Sequence, residues 1–351
     1  MSEASAALLD ARGILARMPK AELHLHLEGT VRPETLWELA RQGGTRLPAA
    51  SLEELRARYR FQDFGQFLDL WQAMHASFRD ASAYERMVDD FLAACRQQRI
   101  RYAEVHFTPF NHERFGGLGG RRAVEVVARR LEQAEAAGGP VARLILDIPT
   151  DALPESGEYT AALLESLVEP LVVAIGLGGP EVGFPRFLAA PYFARARRRG
   201  YHAVAHAGET FGAEHVRQAV LDLKVRRVQH GVQAAEDPEV LRLLAAADVC
   251  CDIALTSNGF LTPFRDLATH PLRRLLAAGV PATLSTDDPA FFGCDLSGEY
   301  ERAHGEAGLS LAELWELNLN GLRYGLGEVA LRRRLLEEFL AEGRRLGLET
   351  G

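Results

Sequence analysis

The chain has 351 residues, 47% apolar and 25% charged, the make-up of a soluble globular protein with ample material for a sizeable core. A formal net charge of −8 disfavours a nucleic-acid partner, because neutralising phosphates requires a basic face. No apolar run reaches the ~18–20 residues that span a bilayer, and the stretch from Met1 to Asp10 is acidic where a signal peptide is basic, so a cytoplasmic location is expected. Cys95, Cys250, Cys251 and Cys294 show no metal-knuckle spacing and are expected to be reduced core residues. Lys20 and Lys224 are the only lysines, and the arginine-rich run 195–199 fits a solvated helix face.

Short apolar runs bounded by turn residues predict strands at 21–27, 101–107, 142–148, 171–177, 202–206, 226–230, 248–254 and 281–286. Helical spacing predicts helices over Ala83–Cys95, Ala123–Ala136, Tyr159–Leu167, Pro191–Arg199, Glu214–Leu223, Pro238–Ala246 and Leu272–Ala278. Eight strand-helix units predict a (β/α)8 TIM barrel of the α/β class, one domain over 1–351. A helical insertion after strand 1, about 30–100, is expected to cap the mouth, with Phe61, Phe64 and Phe67 as an apolar lid, and Leu311 to Leu346 reads as two or three C-terminal helices. A doubly wound sheet would need a glycine-rich phosphate loop after its first strand, and Glu28-Gly29-Thr30-Val31 is not one. The outer helices of a barrel carry the same pattern whether solvated or paired, so no oligomeric state is read from them.

His24 and His26 lie two apart on the first predicted strand, so both imidazoles project from one face and can close on one ion. A His-x-His pair also arises by chance in a chain with eleven histidines. However, His206-Ala207-Gly208-Glu209, Gln229-His230-Gly231 and Ser285-Thr286-Asp287-Asp288-Pro289 each end their own predicted strand. Catalytic groups of such barrels gather where the strand C-termini converge. His24, His26, His206 and Asp287 then form a set suited to Zn2+ with a position left for water. No lysine lies between Lys20 and Lys224 to bridge a second ion, which argues for one zinc per chain. Glu209 is placed to move protons without binding metal, and His230 and Asp288 to orient the water and accept its proton. Blander readings exist for each: Glu209 as a helix-start acid, His230 as a buried strand-end histidine, Asp287-Asp288-Pro289 as a turn.

In this order and spacing the motifs resemble the adenosine deaminase family of the amidohydrolase superfamily. The resemblance runs from Pro19–Gly29 through His206–Glu209, His230-Gly231 and Thr256-Ser257-Asn258 to Ser285–Pro289. It implies zinc on His24, His26, His206 and Asp287, protonation of a purine N1 by Glu209, stabilisation and deprotonation of water by His230, and contact of Asp288 with N7. Gly179 matches a glycine whose N–H meets N3, so the substrate-facing set is His26, Glu28, Gly179 and Asp288. The implied reaction is hydrolytic deamination at C6 of a 6-aminopurine nucleoside or base, adenosine to inosine plus ammonia in the simplest case.

Glu28 stands where adenosine-specific members usually carry Asp, as in members similar to adenine deaminases, and Gly176 and Pro180 replace frequent acids. Gln229 precedes His230 where a glycine is usual, and Asp252-Ile253-Ala254-Leu255 stands where a Cys-Pro pair is common. The stretch Gly176–Arg186, with Phe107–Phe110, is similar to members that deaminate 6-aminodeoxyfutalosine, and there Arg186 is expected to receive a substrate carboxylate. The alternative class is a metal phosphoesterase, which also uses His-x-His on a barrel but would need more metal ligands and basic residues near the strand ends.

Overall fold

The computed structural model describes residues 11–60 and 64–348, and of 64–68 the backbone alone. Eight parallel strands run in the order β1 to β8: Lys20–His26, Ile100–Phe107, Val141–Pro149, Val172–Gly178, His202–Ala207, Arg227–His230, Cys250–Ile253 and Ala282–Leu284. Each follows an expected strand, and the helices between them complete a (β/α)8 barrel. All nine residues of β3 are buried, as expected of a parallel strand covered on one face by helices and on the other by the lumen.

Barrel closure is made by the residues that carry the site. Asp287 and Leu25 form a parallel bridge, His26 N–H donates to Asp287 O (2.9 Å), and Asp287 N–H donates to His24 O (3.1 Å). Glu22 adds its carboxylate to Thr286 N–H (2.9 Å) and Thr286 hydroxyl (2.6 Å). The Leu311–Arg323 helix packs on this seam. Its Asn318 accepts from Ala21 N–H, and Gly321 lies so close that an added Cβ would stand 2.6 Å from Ala21 Cβ.

The floor of the lumen holds an ionic cluster. Arg227 on β6 reaches across to Glu104 on β2 (2.6 Å) and to Asp252 on β7 (2.8 Å), with all three side chains fully buried. Its remaining N–H groups donate to Leu23 O and Tyr324 O, Thr283 donates to Asp252, and Tyr102 hydroxyl to Glu104.

Between β1 and β2 lie helices Pro33–Gly43, Leu52–Arg58, Phe64–Ser77 and Ala81–Gln98, the expected insertion. The insertion is pinned near the mouth: Tyr59 hydroxyl donates to Val31 O (2.8 Å), and its ring stacks on Phe291 with centroids 4.8 Å apart. Of the expected lid residues, Phe61 and the side chains of Phe64 and Phe67 lie outside the described residues. Leu311–Arg323 and Val329–Arg345 are the two C-terminal helices.

Candidate metal and catalytic centre

At the C-terminal ends of β1, β5 and β8 four donor atoms converge. His206 Nε2 lies 3.1 Å from both His24 Nε2 and His26 Nε2, while Asp287 Oδ1 lies 3.3 Å from His24 and 3.4 Å from His26. Donors at the ~2.0–2.1 Å of Zn–N bonds in a tetrahedron stand about 3.3–3.4 Å apart, close to these four separations, and His24, His206 and Asp287 also form a buried group with His230. The chemistry of the donors agrees. His206 Nδ1 is 2.8 Å from Leu177 O, which can only accept; Nδ1 therefore carries the hydrogen and Nε2 offers a lone pair. Burial and the neighbouring imidazoles push His206 down to about 3. Asp287 is held far below the usual carboxylate range by its bond to His24 and the charges of the surrounding imidazoles, against the effect of burial. Ser257 hydroxyl donates to its other oxygen at 2.6 Å.

Asp287 and His230 both adopt left-handed backbone conformations, each with φ of 65°. Such residues cost ~1–3 kcal/mol apiece and persist where the surroundings over-determine them. Here the cost turns both side chains inward over the lumen. His230 Nε2 stands 3.9 Å from Asp287 Oδ2 and 3.4 Å from Glu209 Oε2. Glu209 is largely buried, and its Oε1 has no hydrogen-bond partner among the described residues. Burial, reinforced by Asp287, Glu181 and Asp288, holds its carboxyl far above the usual range. Burial and the charges of Asp287, Glu28 and Asp147 do the same to Asp288.

Several residues at the site escape sequence reading. Glu181, after β4, gathers four consecutive backbone N–H groups of the loop that carries Glu209: Gly208 (2.7 Å), Glu209 (3.0 Å), Thr210 (2.7 Å) and Phe211 (2.7 Å). Arg186, expected to face substrate, is instead fully buried against this carboxylate. It donates to Pro180 O (3.0 Å), contacts His215 (3.4 Å) and stands 3.9 Å from Glu181. A guanidinium in that position supports the loop, and its buried Nη1 has no hydrogen-bond partner among the described residues. His106 and Asp147, 2.9 Å apart, line the lumen beside His26, whose Nδ1 is 3.7 Å from Asp147. Gly176 makes room for this acid, since a Cβ there would stand 1.8 Å from Asp147 Oδ1.

Glu28 is fully buried. It accepts from Thr108 N–H (2.9 Å) and from His112 (3.3 Å), which in turn pairs with Tyr84 hydroxyl (3.0 Å). His75 of the Phe64–Ser77 helix completes a buried trio with Glu28 and His112. Gly179 is exposed at the end of β4 with φ of 90°, and a Cβ there would crowd Thr150.

The family model for adenosine deaminase matches residues 19–342. An aminodeoxyfutalosine deaminase from Streptomyces coelicolor is 35% identical over 94% of this chain and 85% of its own. The crystal structure of an adenine deaminase from Arthrobacter aurescens superposes with a TM-score of 0.87 at 32% identity, covering 93% of this chain and 99% of that one. An amidohydrolase from Burkholderia ambifaria, solved with bound Zn, gives a TM-score of 0.88 at 25% identity over 99% and 94% of the two chains. With the match spanning nearly the whole barrel and every strand end that carries the centre, the chain belongs to the adenosine deaminase family, hydrolases of C–N bonds within the amidohydrolase superfamily.

Proposed function

We propose that the chain removes the 6-amino group of a purine as ammonia, with His24, His26, His206 and Asp287 holding one zinc ion. A zinc ion bound there would bring the pKa of a water molecule toward ~7 and so supply the nucleophile at neutral pH. The observation that carries the reading is the convergence of His24, His26, His206 and Asp287 on one point, with His230 and the Glu209 carboxyl, its Oε1 unpartnered among the described residues, beside it. Purine N1, N3 and N7 are acceptors and each needs a donor. Glu209 serves N1 and delivers the proton as C6 is attacked, Asp288 serves N7, and the Gly179 N–H serves N3. A phosphoesterase would need cations around the phosphate, whereas the neighbouring Arg186 is buried against Glu181.

Among 6-aminopurines we infer 6-aminodeoxyfutalosine as the preferred substrate. Val182, Phe187, Leu188 and Phe211, on the loops after β4 and β5, are exposed large apolar side chains at the rim of the mouth, suited to an aryl extension beyond the base. Adenine is the second reading, supported by Glu28, a fully buried acid one methylene longer than the Asp usual in adenosine-specific members, with its Oε1 held by Thr108 N–H and His112. The test is ammonia release from adenosine, 2′-deoxyadenosine, adenine and 6-aminodeoxyfutalosine by the zinc-loaded protein, ranked by kcat/KM and repeated after chelation. Highest kcat/KM on the extended nucleoside, lost with the metal, is expected. No turnover of any of the four would overturn the deaminase reading.

A further inference from the structure

Asn258 and His270 are buried side chains that the reaction as described leaves unused. They form a chain in which the direction of every hydrogen bond is forced. Leu272 N–H, a donor only, points at His270 Nδ1 (3.2 Å), so Nδ1 is the acceptor and the ring's hydrogen is on Nε2. That Nε2–H faces Asn258 Oδ1 at 3.3 Å. The Asn258 amide is thereby oriented, and its Nδ2–H2 donates to His230 Nδ1 at 3.0 Å. His230 Nδ1 is then an acceptor, and its hydrogen lies on Nε2, the nitrogen 3.4 Å from Glu209 and 3.9 Å from Asp287.

The geometry points to Asn258 and His270 as positioning residues that lock His230 in the Nε2–H tautomer, so that His230 presents a hydrogen-bond donor, and not a lone pair, to the reacting atoms. This rests on the reading of His230 as a group at the reacting centre. A ring nitrogen that already carries hydrogen cannot take up a proton. His230 therefore stabilises negative charge developing on oxygen at C6 by donation; in place of the expected transfer to His230, the proton of a zinc-activated water of pKa near ~7 would leave to solvent before attack. The device depends on an amide between the two rings: a carboxylate at 258 would accept from both and force the hydrogen of His230 onto Nδ1.

The experiment is 15N NMR of histidine-labelled, zinc-loaded protein, with kinetics on the best substrate of the panel. The wild type is expected to show His230 with a protonated Nε2 and a bare Nδ1. Asn258→Asp should move the hydrogen to Nδ1 and lower kcat by about 10²-fold or more, a loss on the scale of one removed donor, with KM and zinc content nearly unchanged. His270→Gln, which still offers an N–H to Asn258, should keep the tautomer and activity within about threefold, whereas His270→Leu should lose about tenfold. A wild-type spectrum with hydrogen on His230 Nδ1 would overturn the inference, as would Asn258→Asp moving the hydrogen without lowering kcat. If the wild type deaminates none of the substrates, the deaminase reading fails instead, and the spectrum still decides the tautomer.

Discussion

The two ends of the barrel lumen treat buried polar groups in opposite ways. On the floor, Arg227 has carboxylates on two sides and backbone carbonyls for its remaining hydrogens, and Glu104 also collects Tyr102 and the N–H groups of Leu326 and Gly327. At the mouth, His24 Nδ1, Glu28 Oε2, His75 Nε2, His106 Nε2, Glu209 Oε1, His230 Nε2 and Asp288 Oδ1 are buried without a hydrogen-bond partner among the described residues. An unpaired buried polar atom costs ~1–3 kcal/mol, so the mouth holds groups in place for partners that arrive from outside, while the ions of the floor are paired within the protein and Gln229 Oε1, above Asp252, is the unpartnered atom beside them among the described residues. The contrast separates what stabilises the fold from what performs the chemistry.

Substitutions can break that contrast from either side. The largest effect is expected from Glu209→Gln, which should lower kcat by about 10³-fold while metal analysis still finds zinc and the thermal midpoint is unchanged or raised; normal turnover would remove Glu209 as the proton donor. Arg227→Met should do the reverse: stripping the floor of its cation leaves two buried carboxylates and costs about 3–5 kcal/mol in denaturant unfolding, with kcat per folded molecule near wild type. Glu181→Gln tests whether the mouth needs a local scaffold. Its amide would present N–H to donors that require an acceptor, and kcat should fall by about 10- to 100-fold, with faster amide exchange at residues 208–211. Unchanged exchange there would show that Glu181 does not hold the loop.

The smallest effect is on acid stability. Burial holds His75 and His270 down to about 4 and His112 to about 3, below their ordinary 6.5. The unfolded chain therefore takes up protons that these rings refuse in the fold, so their contribution to stability is full above 6.5 and is lost as pH falls from there through 4; Glu22 and Asp147, raised to about 7 by burial, act in the opposite sense. Chemical denaturation of the wild type and His270→Gln at pH 7.5 and 5 isolates one ring, and the variant should lose less stability on acidification. The same change in both proteins would contradict neutral burial of His270.

The barrel is legible in the sequence because strands covered on both faces read as continuous apolar runs. The convergent centre is legible because His24, His206, His230 and Asp287 each end such a run. What escapes notice depends on partners far apart in the chain. Asp147 is one acid inside the apolar stretch of β3, and its meaning comes from Gly176 on the next strand vacating the space. Arg186 has the right residue type for a substrate carboxylate, yet Glu181 claims it first. Asn258 sits in the short helix Leu255–Leu261 and His270 twelve residues on, just before the helix Leu272–Ala277, and only the Leu272 N–H at the start of that helix gives their contact a direction.

The hydrogen bonds that join Asp287 to β1 have a consequence for how the protein matures. The last strand to leave the ribosome supplies both the closing seam and the carboxylate of the centre, and His24 N–H is tied to Ser285 Oγ in the same step. An N-terminal fragment ending before residue 285 carries all three histidines but neither the seam nor the acid. A metal held as proposed would therefore be bound tightly only after the ring of strands has closed, and its affinity would report that closure.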